Sequence, residues 1–408
     1  MFQPSLRIAL AALDRSIPET DWLRIVEALH AEPGFWWLDS ARADSGLGRC
    51  SFAGADPYLR LEARGTEVEI DVRRAVRPGL ARGFHRIEAD PIECARSLLP
   101  RADSLIYSTR VASASCLPGS RDPSPWHEVA GLSAGLELPF LGGAVGYFGY
   151  ELARVIEPRL RFGNRDDLAL PDLSLAFVDR IVAYEHATER LWVIGLGFGG
   201  RDGSTGSGVR DTAVRRSRAV VDDLSRWIDE VLAQKRTMPS DTKRADLEEA
   251  GHARPIPALS TSDASGYTKA VDRILEEIAL GNVYQANFSQ RLSIEAPIDP
   301  WTIYRALRHR NPAPFGAYLA LPDGAVLSSS PERFLRMDAA RRIESRPIKG
   351  TRPRGDDGIE DARLAHELRS SEKDRAENLM IVDLVRNDLG RVCAPGSIDV
   401  PELMKVEA

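Results

Sequence analysis

Cysteine is scarce in this chain: four residues in 408, at Cys50, Cys94, Cys116 and Cys393. They are scattered, with neither metal-binding nor redox spacing, and read as free thiols in a reducing compartment rather than as a disulfide framework. Long apolar runs are missing too. No stretch is long and apolar enough to cross a bilayer. The opening MFQPSLRIALAALDR has only a short apolar run broken by charge, which is not the form of a signal sequence, so the cytosol is the expected compartment. An excess of positive charge is also absent. The net charge is −6, which favours solubility and argues against a broad nucleic-acid-binding face. No internal repeat is visible.

The chain is long enough for one large or two ordinary domains with a sizeable core. Leu6 to Leu13 reads as a first strand. Ile17-Pro18-Glu19-Thr20-Asp21 opens a helix to about His30, with proline and acids suited to a first turn. In it Trp22, Ile25, Val26 and Leu29 recur at helical spacing and face a core. Phe35 to Ser40 reads as a buried strand, and Arg49 to Asp56 and Leu59 to Arg64 continue a β-rich region. Phe140 to Tyr150 alternates glycines with aromatics. No lysine-bearing loop-to-helix grammar follows, so close strand packing explains it better than a phosphate cradle. Leu173 to Glu185 and Leu191 to Leu196 read as paired strands.

Gly197 to Gly208 reads as a loop, followed by a charged helix over about Asp211 to Gln234. Polar, proline-bearing residues from Lys235 to Pro257 make the best linker. This divides the chain into a β-rich region (1–196), a helix and linker (197–258) and a motif-dense region (259–408). In the last, Ser262 or Asp263 caps a helix to Leu280 that Gly281 ends, with Tyr267, Val271, Ile274, Leu275 and Ile278 as its apolar stripe. Val283 to Glu295 alternates as a long strand. Trp301 to Arg310 is a helix stopped by Asn311-Pro312. Phe315 to Leu321 and Ala325 to Ser330 form a hairpin through Pro322-Asp323-Gly324, and Ile343 to Pro347 is a short strand. Ile359 to Arg369 is a helix. Ser371 caps the next one in capping-box geometry with Asp374, Ile381, Leu384 and Val385 face a core, and Gly390 closes it.

The stretch with most chemistry runs from Ser330 to Asp357. It carries Glu332 near its start and Lys349 in a turn near its end, among Arg341, Arg342, Arg346, Arg352 and Arg354. This reversal of sign within an acidic protein points to a pocket for a small anion. A lone lysine in a turn is an ordinary solvated cation. Crowding by cations, or burial, frees an amine lone pair for nucleophilic work. Pro347 stiffens the approach, Gly350 removes a side chain beside the amine, and Thr351 offers a hydroxyl and an N–H to an anion. A glutamate beside a strand serves as a general acid when burial favours its protonated form. On spacing alone, Glu332 is equally a surface partner of Arg333. Asp374 and Glu377, three apart on one helical face, suit a hard cation such as Mg²⁺. Acids in a first helical turn also answer the helix dipole alone.

Four long motifs in order, GNVYQANFSQRL, SSSPERFL, RPIKGTRPR and SSEKDRAENLMIVDLVRNDLG, resemble the chorismate-utilising enzymes. That family includes anthranilate, aminodeoxychorismate, isochorismate and salicylate synthases. The resemblance is dense from about Tyr267 to Glu407 and looser in GRCSFAGADP and PFLGGAVGYFGYEL. It implies an α/β (α+β) fold of two large antiparallel sheets packed as a sandwich with helices outside. Anthranilate synthases usually carry alanine at the position of Lys349, whereas aminodeoxychorismate synthases typically have Pro-Ile-Lys-Gly-Thr, as here. Isochorismate and salicylate synthases carry a water-activating lysine where this chain has Gln285.

The resemblance therefore implies amination of chorismate to 4-amino-4-deoxychorismate, for folate and 4-aminobenzoate synthesis. Lys349 would be the covalent nucleophile and Glu332 the general acid. Gln285, Arg346, Gly350 and Thr351 would line the substrate, with Glu377 and, less securely, Asp374 as Mg²⁺ ligands. Gly48-Arg49-Cys50-Ser51-Phe52 lacks the closing glycine of a glutaminase elbow, so ammonia is expected from a separate glutaminase subunit or from solution. Relatives continue past Ala408 with further substrate and metal residues. The expectation is an incomplete active site, a sheet missing strands and negligible turnover for the 408-residue chain. The alternatives are anthranilate synthase component I, and a non-catalytic chain that binds a glutaminase partner or an amino acid. Leu38-Asp39-Ser40 resembles part of an amino-acid site in feedback-controlled relatives, although a strand end packed on the sheet explains it from sequence alone.

Overall fold

The structure is a computed structural model of the whole chain. It describes residues 7–42, 47–77, 79–99, 105–111, 127–129, 138–163, 166–199, 207–234, 257–295, 297–338 and 340–407. Cys116 and most of the expected linker, residues 235–256, lie outside the described residues. The chain forms two compact units, Met1–Lys235 with Leu307–Ala408, and Arg236–Ala306. No helix among the described residues is long and apolar enough to cross a membrane.

In the larger unit β1 (Arg7–Ser16) is followed by α1 (Glu19–His30), then β2 (Trp36–Asp39), β3 (Cys50–Gly54), β4 (Leu59–Arg64), β5 (Glu67–Val72) and β6 (Gly83–Glu88). After α2 (Pro91–Leu98) come β7 (Leu105–Val111), β8 (His127–Val129), β9 (Gly143–Phe148) and the short α3 (Ala153–Ile156). Next are β10 (Leu173–Val178), β11 (Arg180–Glu185), β12 (Arg190–Gly199) and α4 (Ser207–Ala233). The smaller unit holds β13 (Leu259–Ser260), α5 (Ala264–Ala279) and β14 (Leu292–Ser293), and α6 spans Pro300–Arg310. The chain then adds β15 (Phe315–Leu321), β16 (Gly324–Ser330), β17 (Arg333–Met337), β18 (Ile343–Arg346), α7 (Gly358–Ser370) and α8 (Glu372–Gly390).

A nine-stranded sheet has the order β16-β15-β2-β3-β11-β12-β1-β7-β8, and a five-stranded sheet the order β6-β5-β4-β10-β9. Pairing is antiparallel except for β1 with β7, which run parallel. The two sheets share one hydrophobic core. Phe52, Ile181, Ala183 and Ile194 enter it from the larger sheet, and Leu59, Leu61, Leu173, Leu175 and Phe177 from the smaller.

Strand period 2 then explains the larger sheet's other face. Trp192, Ile194, Leu196 and Phe198 of β12 point into the shared core. Gly195 and Gly197 lie against α4, where a Cβ would stand 2.5 Å from the Ser217 carbonyl oxygen and 2.0 Å from that of Ala213. Helix and sheet approach this closely because those positions carry no side chain. On the same face α1 buries Trp22, Ile25, Val26 and Leu29, and Trp22 stacks on Tyr184 of β11 at 5.5 Å.

Leu173–Glu185 differs from the sequence expectation. Its second half, β11, pairs with β12 as expected, but its first half, β10, belongs to the other sheet, with Asp179 between the two. At that crossing Asp179 is 2% exposed and bound bidentately by Arg74, with Nη1 to Oδ2 at 3.0 Å and Nη2 to Oδ1 at 2.7 Å. The glycine-aromatic stretch forms β9, and a Cβ on Gly146 would meet the Ser174 carbonyl oxygen of β10 at 1.9 Å. The sandwich expected from the resemblance is therefore present, with one parallel pair added.

Val283–Glu295 also differs. Only Leu292–Ser293 forms a strand, pairing with Leu259–Ser260, and Tyr284, Phe288, Leu292 and Ile294 are exposed. Alternation gives a segment two faces but not a neighbour to bond with, and a strand needs both. Helix α5 forms as expected, capped by Asp263 on Gly266 N–H, and turns out through Gly281 at φ +76°. Its stripe residues Tyr267, Leu275 and Ile278 stay exposed. Helix α8 buries none of its residues, so Ile381, Leu384 and Val385 do not face a core among the described residues.

Candidate functional site

The SPERFL and PIKGT segments meet because β16 delivers one and the β17–β18 pair delivers the other. Ser330, at the end of β16, hydrogen-bonds both the N–H and the carbonyl of Glu332 through its hydroxyl, each at 3.2 Å. The following strands pair antiparallel with a register shift, which sets Arg333 opposite Arg346. A bulge of this kind re-aims the chain at the end of a ladder. Glu332 thereby lies beside the residues after β18, and its Oε1 accepts from Ile348 N–H at 3.2 Å. The next residue is Lys349.

Gly350 then bends the turn at φ +73°, where an L side chain is strained. The absent Cβ is also a packing requirement: it would stand 2.8 Å from Cγ of Asp374. The turn rests on the first turn of α8, which Ser371 caps by accepting from Asp374 N–H at 3.3 Å. One helical turn further along the same face lies Glu377, with Oε1 3.9 Å from Nζ of Lys349. The lysine side chain is 26% exposed and that of Glu377 36%. Lys349 is therefore held between two carboxylates, Glu377 by direct ion pairing and Glu332 through the backbone of Ile348.

The guanidinium groups do not crowd this amine as the sequence suggested. Arg346 is bound to Glu344 and Glu407, both at 3.1 Å. Arg352 reaches Glu367 at 2.7 Å and Asp374 at 3.1 Å, Arg354 reaches Asp361 at 2.7 Å, and Arg342 reaches Asp338 at 2.8 Å. The acids respond. Burial pushes the Glu344 carboxyl up, but Arg333 and Arg346 together outweigh it and hold the group below the usual carboxylate range. Ser371 first, then Arg352, hold the partly buried Asp374 carboxyl low, and Arg352 does the same for Glu367. Glu367, Asp361 and Asp338 were not anticipated from sequence. Asp338 meets Arg342 four residues away across the β17–β18 turn, whereas Glu367 and Asp361 meet Arg352 and Arg354 from α7, through the fold.

The remaining expected residues are placed as follows. Thr351 is exposed, and its carbonyl accepts from Arg352 at 2.9 Å. Gln285 belongs to the smaller unit, where its Oε1 is buried with no hydrogen-bond partner among the described residues. For Mg²⁺, no group of three or more His, Cys, Asp or Glu side chains is gathered to hold a metal ion among the described residues. Asp374 is engaged by Arg352 and Glu377 by Lys349. A hard cation needs several oxygen donors, so these side chains do not by themselves make up a Mg²⁺ site.

The sequence pattern of the chorismate binding enzymes matches residues 96–408, and the chain belongs to that family. Among curated proteins it is 36% identical over 404 residues to aminodeoxychorismate synthase of Streptomyces pristinaespiralis, covering 96% of this chain and 47% of that protein. It is 38% identical over 283 residues to aminodeoxychorismate synthase component 1 of Bacillus subtilis, covering 69% and 55%. It is also 39% identical over 269 residues to anthranilate synthase component 1 of Thermus thermophilus, covering 66% and 52%. The chain spans about half the length of the curated relatives it matches. Its fold is similar to the crystal structure of anthranilate synthase component I from Streptococcus pneumoniae, with a TM-score of 0.62 at 22% identity over 88% of this chain and 66% of that one.

Proposed function

We propose that the chain carries the chemistry of aminodeoxychorismate synthase component I: chorismate and ammonia to 4-amino-4-deoxychorismate and water. The observation that carries the reading is the placement of Lys349, on a glycine-bent turn, next to the Glu332 contact and 3.9 Å from Glu377. In the proposed sequence Nζ of Lys349 bonds to ring carbon 2, the ring double bonds shift, and the carbon 4–oxygen bond breaks. Glu332 supplies the proton with which that hydroxyl leaves as water. Ammonia then adds at carbon 4, the double bonds shift back, and the carbon 2–nitrogen bond breaks to return the lysine amine. A separate glutaminase is the proposed source of ammonia. The family resemblance brings Mg²⁺ to this reading, with Glu377 as the acid nearest the reacting amine. No step here runs through the ion.

The nucleophile distinguishes this reading from anthranilate formation. Incubation of the chain with chorismate, Mg²⁺ and ammonium, followed by peptide mass analysis, tests it without requiring turnover. A chorismate-derived mass on the Lys349 peptide, lost in Lys349→Ala, is expected. An adduct that survives the substitution, or anthranilate as the product, would refute it.

A further inference from the structure

A second concave site lies at the β5–β6 pair of the five-stranded sheet, lined by residues 56, 71–74 and 82–84 and sharing none with the site above. It is a cavity of about 500 Å³ lined by Asp56, Asp71, Arg73, Arg74, Arg82 and Phe84, with the backbone of Val72 and Gly83. Its floor is fixed. Arg74 is held by Asp179 at 2.7 Å, by the Asp56 carbonyl at 2.7 Å and by the Asp56 carboxylate at 2.9 Å. Asp56 sits at φ +48°, a left-handed conformation kept only where surrounding contacts over-determine it. Strain of this kind, tied down by a buried ion pair, gives a preorganised rim.

Two cations on the rim have no such engagement. Among the described residues neither Arg73 nor Arg82 is paired with an acid, and Arg82 is exposed. Arg73 also opposes Arg60, a half-buried guanidinium whose Nε has no hydrogen-bond partner among the described residues. Two neighbouring like charges favour an anion between or beside them. Two acids also line the cavity: Asp56 is engaged by Arg74, and Asp71 sits directly across the strand pair from Arg60 on one side and Phe84 on the other. Phe84 is 59% exposed, an apolar side chain at the cavity wall with no ring stacked on it among the described residues.

We propose that this cavity binds a small aromatic carboxylate. Arg73 and Arg82 take the carboxylate, as guanidinium groups do in planar two-bond geometry. Phe84 takes the ring by stacking. At about 500 Å³ the cavity falls in the size range of small-molecule sites, with room for a ring beside the two guanidinium groups.

Calorimetric titration of the full chain with benzoate is the test, with acetate and benzamide as arms lacking the ring and the charge. Saturable benzoate binding is expected, with acetate and benzamide each weaker. Arg82→Ala and Phe84→Ala both remove exposed side chains, and loss of a charge-assisted contact in Arg82→Ala weakens benzoate binding by at least about tenfold. Arg86→Ala, on the same face but paired with Glu67 and Glu69, leaves it unchanged. An unaltered urea midpoint for Arg82→Ala shows that any loss is local. Absence of saturable benzoate binding overturns the proposal. So does equal binding of acetate, or benzoate binding that Arg82→Ala leaves intact.

Discussion

Replacing Gly350 with alanine separates two costs at the lysine turn. The first is conformational. At φ +73° an L residue enters the left-handed region, for about 1–2 kcal/mol. The second is steric and specific to this site. The new Cβ lies 2.8 Å from Cγ, 2.9 Å from Cβ and 3.0 Å from Oδ1 of Asp374, so that side chain must move. Moving it takes the carboxylate from Arg352, a partly exposed ion pair 3.1 Å long that contributes up to about 1 kcal/mol. The sum is about 1–3 kcal/mol.

Gly65 supplies the internal control. It turns β4 into β5 at φ +56°, and an added Cβ there meets nothing within 4 Å. Gly65→Ala therefore measures the conformational part alone. Urea unfolding of both variants should show Gly350→Ala the costlier by up to about 1 kcal/mol, and the part of that excess owed to the lost Arg352 contact should vanish in an Asp374→Ala background. The same displacement shifts the turn that holds Lys349, so labelling of that amine by chorismate should fall in Gly350→Ala and not in Gly65→Ala. Equal costs at the two glycines would refute the claim that Asp374 pins the turn.

Two further outcomes follow from the buried polar groups. Asp179→Asn removes the buried one of the two carboxylates that hold Arg74 at the crossing between sheets and leaves Asp56 in place, so it should lower stability by about 1.5–3 kcal/mol in urea; a loss under about 1 kcal/mol would mean that the pair does not hold the crossing. His186 is 2.8 Å from the Ser51 hydroxyl, and burial first, then Arg308 against the opposing pull of Glu19, lowers its proton affinity below the ordinary 6.5. The unfolded chain then takes up the proton first. Stability should be full above pH 6.5 and fall as acid is added below it, until the folded state protonates too. In His186→Gln, the thermal midpoint measured against pH should lose that slope in this window, which is distinct from the lower one where the carboxylates titrate.

Elements whose signal is local were legible in the sequence. Helix α1 announced itself by Trp22, Ile25, Val26 and Leu29, all of which are buried. The caps at Asp263 and Ser371 were legible for the same reason, since a cap is a bond between residues two or three apart. So was the β15–β16 hairpin, whose register closes at Leu321 opposite Gly324. What failed was whatever depends on a distant partner. The residues from Leu173 to Glu185 are strand-forming on either side of Asp179-Arg180, but nothing in that break says that Asp179 will meet Arg74 or that the two halves enter different sheets.

The lysine site shows the same division. Its composition was readable, since Glu332, Lys349 and Glu377 do converge on one turn. Its electrostatics were not. Five arginines in a short segment suggested a cationic cleft, but acids from α7, α8 and the β17–β18 turn meet Arg342, Arg352 and Arg354, and Glu344 and Glu407 meet Arg346. Charge counted along a segment records only its own residues, whereas a carboxylate a few ångströms away through space decides the local field. The amine's nearest charged neighbour is thus an acid, and an anionic substrate entering here must displace guanidinium contacts that already exist. Substrate carboxylates and Glu367 or Asp374 would compete for Arg352. Binding and the release of those acids are therefore coupled in the proposed reaction, and an Arg352→Ala variant would remove both at once.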